Sequence, residues 1–136
     1  MNDRPTAAEL LAAVERFLEE SAVPALEGPA KYHARVAANV VRIVARELAT
    51  EDEHLAREWD GLAALLGEAP KPGERAELDD AIRALNEDVV WRIRSGEADA
   101  GAWREKLIEH LSRVVADKLD VAQPPRTRSE SKGRGA

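Results

Sequence analysis

Every periodic stretch of this chain carries its apolar residues at the three- and four-residue spacing of a helix, and none alternates as a strand does. That leaves one class of fold, in which helices bury their apolar stripes against one another. The first stripe opens with Thr6 and Glu9, a capping box, and continues as Leu10, Leu11, Val14, Phe17 and Leu18. Val23-Pro24 and Gly28-Pro29 end it. A second helix runs from about Ala30 to Ala49. Thr50 and Glu53 then form another capping box, which marks a third helix with Leu55, Trp59, Leu62 and Leu66 inward and a stop at Gly67. Neither Gly nor Pro separates the second and third helices, so a continuous helix is the alternative there. Glu68-Ala69-Pro70-Lys71-Pro72-Gly73 cannot be helical throughout. A fourth helix carries Leu78, Ile82, Leu85, Val89 and Ile93 and stops at Gly96. A fifth carries Leu107, Leu111, Val114, Val115 and Leu119 and closes at Gln123-Pro124-Pro125. The expectation is an all-α fold: a compact antiparallel bundle of about five helices over residues 1–121, followed by a disordered basic tail over 122–136.

Charge and composition narrow the function classes. The net charge is −6, but residues 122–136 hold Arg126, Arg128, Lys132 and Arg134 against Glu130, a surplus of three positive charges. The first 121 residues therefore stand at −9. So acidic a body argues against a nucleic-acid-binding domain, which shows a basic face, and the tail reads as solvated Pro, Ser, Gly and charge. The chain has no cysteine, which excludes disulfides, zinc thiolate sites and cysteine nucleophiles, and fits a reducing cytoplasm. Residues 1–9 lack the pattern of a signal peptide. The most apolar stretch, Val36 to Leu48, is broken by Asn39, Arg42 and Arg46 and is too short to span a bilayer.

Few residues carry chemistry. On a wheel of the second helix, His33 and Glu47 fall inside an arc of Tyr32, Val36, Ala37, Val40, Val41, Ile43, Val44 and Leu48. Asn39 lies on its border, and Arg35, Arg42 and Arg46 form a stripe beside it. One reading is a small polar pocket, with His33 as acid, base or donor and the arginines holding an anion. The other is a satisfied core histidine, a border asparagine and arginines paired with the acidic surface. Either way, a His33 that faces the core needs a partner, with Asn86 on the fourth helix or the fifth helix near Lys118 as candidates. Lys118 sits among Leu111, Val114 and Val115, either buried and paired or extending its ammonium to water. His110 reads as a boundary residue. Trp59 reads as core. Trp91 lies almost opposite the fourth helix's apolar arc and is the candidate interface residue. Glu51 and His54 have the Glu-x-x-His spacing of di-iron bundles, but the second such pair is missing. No phosphate-binding loop, dinucleotide fingerprint, metalloprotease motif or nucleophile elbow is present. No metal site, cofactor or catalytic residue is assigned.

The opening Asp3-Arg4-Pro5-Thr6-Ala7-Ala8-Glu9-Leu10-Leu11 and the stretch Tyr32-His33-Ala34-Arg35-Val36-Ala37-Ala38-Asn39 resemble a family of small helical bacterial proteins classed as a domain of unknown function. Leu85-Asn86, Ile93-Arg94-Ser95-Gly96 and Leu107 to Leu119 extend the likeness over residues 3–122. Neither Glu68 to Gly73 nor Trp91 belongs to that pattern. The resemblance implies a gene context beside aminoglycoside-phosphotransferase-like kinases and acyl-CoA dehydrogenases, and so a role near acyl-CoA metabolism. It implies no activity and no catalytic residue.

Two functions follow as expectations. The first is a non-catalytic, cytoplasmic accessory module that binds a protein partner or itself, a homodimer included, with no nucleic acid or membrane involved. The second is a bundle that binds a small ligand or anion, or acts as a weak enzyme, through His33, Arg35, Asn39 and Lys118.

Overall fold

The computed structural model describes residues 4–67 and 70–123. The expected disordered tail lies, from residue 124 on, outside the described residues. Those described are helical, without a strand. Helix α1 spans Ala7–Phe17 and runs through a π turn at Leu18–Ala22 into the short α2, Val23–Ala25. Helix α3 spans Gly28–Leu66, α4 Arg75–Arg94 and α5 Ala102–Ala122. The chain divides into two compact units, Met1–Thr50 and Glu51–Ala136.

In the first unit, the Thr6–Glu9 capping box forms as expected. The Thr6 amide donates to Glu9 Oε2 at 2.7 Å and the Glu9 amide to Thr6 Oγ1 at 3.2 Å. The π turn answers Pro24, which has no N–H for the carbonyl one turn back and whose ring would crowd it. The ladder widens just before it, with the Val23 amide donating to the Leu18 carbonyl. On α3, Ala34 and Ala38 are buried. Arg42 continues their row by one more turn and bonds α1, its Nε donating to Glu15 Oε1 at 2.7 Å and its Nη2 lying 2.5 Å from Glu19 Oε1. Small residues thus form the side of α3 that α1 approaches, and the arginine ties the edge. The two carboxylates, Glu19 first, raise the Arg42 pKa.

The expected break at Thr50 is corrected. Thr50 is inside the 39-residue α3, and its hydroxyl donates to the Arg46 carbonyl at 2.9 Å, bonding back into the helix rather than capping a new one. The second and third helices are therefore one, and the described residues hold four long helices where five were expected.

The second unit has a conventional core. Trp59, Leu62 and Leu65 of α3 pack with Leu78, Ile82 and Val89 of α4 and Leu107 of α5, and Leu62 is fully buried. Trp59 is core, as its stripe indicated. Gly67, at φ 100°, ends α3 in a conformation that costs a side chain dearly. Trp103 of α5 donates its indole N–H to the Leu65 carbonyl at 3.2 Å, satisfying one of the carbonyls that the end of α3 leaves open. The Arg92 guanidinium stands 6.0 Å from the Trp103 ring centroid. Arg75 at the start of α4 pairs with Glu51.

Candidate functional site

His33, Arg35 and Asn39 are exposed on α3, and Lys118 is exposed on α5. The expectation that His33 faces a core is corrected: its ring meets Tyr32 edge-on, with centroids 5.6 Å apart. The wheel located the apolar arc but not the packed side. α3 turns its alanine row inward, and the large residues of the arc, Tyr32, Val36, Val40, Val44 and Leu48, stay exposed. Asn86 does not serve His33 either. Its Nδ2 donates to Glu58 Oε1 at 2.9 Å, joining α4 to the second half of α3. The polar network expected around His33 does not form, and Asn86 belongs to another.

α5 also carries two stripes. Trp103, Leu107, His110, Val114, Asp117 and Val121 form the more buried one, whereas Ile108, Leu111, Val115 and Leu119 are exposed. Lys118 borders the second stripe. Trp91 is 67% exposed. It lies on α4 with Arg83, Asn86, Glu87, Val90 and Arg94 along an open groove of about 450 Å³.

The polar site the structure does build lies between α3 and α5. A cavity of about 230 Å³ is lined by Arg57, Glu58, Asp60 and Gly61 on one side and by His110, Arg113 and Asp117 on the other. His110, expected at a boundary, is only 3% exposed. Its ring lies against Gly61, where a Cβ would stand 2.1 Å from His110 Nδ1. Only a glycine lets the imidazole approach so closely. Burial lowers the His110 pKa, with Glu58 opposing and Arg113 assisting, so the ring is neutral at neutral pH. One end of the cavity is tied by ion pairs. Arg57 donates to Asp117 at 2.7 Å and 3.2 Å and to Glu53 at 2.6 Å, and Asp117 raises the Arg57 pKa. His54 Nε2 stands 3.9 Å from the same Asp117.

None of His33, Arg35, Asn39 or Lys118 lines this cavity. The sequence signal for it was Gly61, a glycine in a helix interior, where it costs about 1 kcal/mol unless something needs the space. Its partner, about two turns into another helix, cannot be read from spacing. Among the described residues no group of three or more His, Asp or Glu could hold a metal ion. No helix among them is long and apolar enough to cross a membrane.

A family model described as a domain of unknown function, DUF6285, matches residues 24–125. No curated protein and no solved structure matches the chain.

Proposed function

From the premise that the chain belongs to the DUF6285 family, a domain of unknown function, we propose that it is a non-catalytic interaction module whose working surface is apolar helix face. The observation that carries this reading is the first unit's inverted packing. It buries alanines and exposes Leu10, Val14, Phe17, Tyr32, Val36, Val40, Val44 and Leu48. Large apolar side chains left open in rows of this length mark an interaction surface. Helices that display their large residues and hide their small ones are shaped to be covered. The outward Trp91 adds a second, separate anchor of the residue type enriched at interface centres.

The gene context implied by the sequence resemblance makes acyl-CoA dehydrogenases and aminoglycoside-phosphotransferase-like kinases the hetero-partners to test first. Affinity capture with the full chain, beside a Phe17→Ser/Tyr32→Ser variant, is the test. Loss of every captured protein from the variant is the expected result. Equal recovery by both chains counts against the reading.

A second reading rests on the His110 cavity, which can hold a small polar molecule between Arg113, Asp60 and the imidazole. It keeps the ligand-binding alternative but moves it from His33 and Lys118 to the α3–α5 cleft. A thermal-shift screen against small anions and zwitterions, repeated on Arg113→Ala, distinguishes it. A stabilising ligand whose effect vanishes in Arg113→Ala supports the cavity, and no shift with any compound removes it.

A further inference from the structure

We propose that the apolar face of the first unit is closed by a second copy of this chain, whose α3 crosses the first in antiparallel orientation about a twofold axis at Val40. The inference deepens the interaction-module reading and rests on it.

Three observations identify the occupant. The first is the arrangement along α3. Tyr32, Val36, Val40, Val44 and Leu48 form one row at four-residue spacing, and all five are exposed. In size the row is symmetric about Val40: a large residue, three valines, a large residue. A twofold interface joins the same patch on both copies, so residue i meets j and j meets i. With Val40 on the axis, the valines at 36 and 44 flank the crossing and Tyr32 and Leu48 close its ends.

The second observation is charge. Only two residues of the exposed arc are titratable besides Tyr32, and they are His33 and Glu47. Each is seven positions from Val40, on opposite sides. Seven residues are about 20° short of two full turns, so both lie near the line through Val40, about 10 Å from it along the axis. An antiparallel pair therefore sets His33 of each copy beside Glu47 of the other, twice. A parallel pair would set His33 against His33 and Glu47 against Glu47. An imidazole N–H beside a carboxylate is a hydrogen-bonding match, whereas Glu47 against Glu47 repels, and this difference selects the antiparallel arrangement of the helix with itself.

The third observation is area. On α1, Leu10, Val14 and Phe17 are also exposed, and Phe17 is 62% exposed. The Arg42 ion pairs to Glu15 and Glu19 mark the polar edge of the α1–α3 contact. Val40 stands about 160° around α3 from Ala38, so the α1 row lies off this crossing and the α3 row is what the partner covers. Scaling each residue of the α3 row by its exposure gives on the order of 400 Å² per chain, about half of what each partner contributes to a standard interface, which is the size of a weak, reversible one.

The chain has no cysteine, so introduced thiols report directly. Sedimentation of the full chain should show a dimer whose share grows with protein concentration. Val40→Glu, a change at an exposed position, should yield a monomer with unchanged helical circular dichroism. Val40→Cys should form a disulfide-linked dimer on mild oxidation. His33→Cys and Glu47→Cys should each cross-link poorly alone and efficiently when mixed, since the antiparallel pairing brings 33 to 47. His33→Glu should weaken dimerisation by about tenfold or more by placing like charges together, and His33→Glu/Glu47→Lys should restore it.

A full chain that stays monomeric at every concentration overturns the proposal. So does a dimer in which His33→Cys or Glu47→Cys cross-links with itself better than the mixture does. If the chain is monomeric while Val40→Glu still abolishes recovery of a different protein, the second copy is wrong and the interaction reading stands. If Val40→Glu and Phe17→Ser/Tyr32→Ser change neither self-association nor recovery, both fail.

Discussion

Gly61 and His110 show how two residues on different helices define a site that neither helix announces alone. Gly61→Ala would gain about 1 kcal/mol in helix propensity, yet its methyl meets a buried ring at 2.1 Å. Overpacking of this kind costs more than the gain, so we expect a net loss of about 1–2 kcal/mol in urea unfolding. Adding His110→Ala should recover most of it, a coupling that a double-mutant cycle measures. The lowered His110 pKa gives a second expectation. The folded ring binds its proton less well than the unfolded ring, whose pKa is about 6.5. Its contribution is therefore complete above that value and is lost as pH falls through it toward the lower folded value. Glu58 from α3 and Arg113 from α5 are the charges that face it. The urea midpoint should drop between about pH 7.5 and pH 5.5, and His110→Gln should flatten that slope. At this scale the sequence was legible where a signal is local. Thr6 and Glu9 are three residues apart and bond as read. His110 was missed because α5 carries two stripes, and periodicity does not say which one turns inward.

At the scale of elements, helix type and most boundaries were readable, because Pro and Gly punctuate the chain. The exception is α3. Thr50 and Glu53 satisfy the pattern of a capping box, yet nothing nearby breaks the helix, and the Thr50 hydroxyl satisfies itself on Arg46. A cap pattern without a breaker is only permissive. Substitution tests the continuity. In a helix that begins after Thr50, a proline at position 51 would be well placed. In a helix that runs through, Glu51→Pro removes a backbone bond and crowds the preceding turn, at a cost of roughly 3 kcal/mol. Because Glu51 also pairs with Arg75, Glu51→Ala is the reference. We expect Glu51→Pro to lose helical circular dichroism and denaturant stability well beyond Glu51→Ala. The face of α3 was the other partial success. The arc with His33 was drawn correctly, but amphipathicity reports contrast, not contact. Alanines allow the closer approach, so the row through Ala34 and Ala38 won the contact with α1.

For the molecule as a whole, the two units differ in how they reach stability. Glu51–Ala136 contains a buried cluster from three helices. Met1–Thr50 buries alanines and leaves its largest residues open. If a second copy completes it, its stability follows mass action whereas that of the other unit does not. Hydrogen exchange at two protein concentrations should therefore show amides of residues 7–50 protected more strongly at the higher one, with those of 55–66 and 102–119 nearly unchanged. Val40→Glu should erase the difference.

The outward row of α3 also has a place in time. Synthesis can deliver Tyr32 through Leu48 outside the ribosome before α5 is complete, so the face can be offered by a chain still attached to its ribosome. Neighbouring ribosomes on one messenger hold identical unfinished chains at high local concentration. An antiparallel crossing at Val40 can close between such neighbours while the Trp59 core is still unmade. Pairing would then precede completion, and the two chains of a pair would come from the same message.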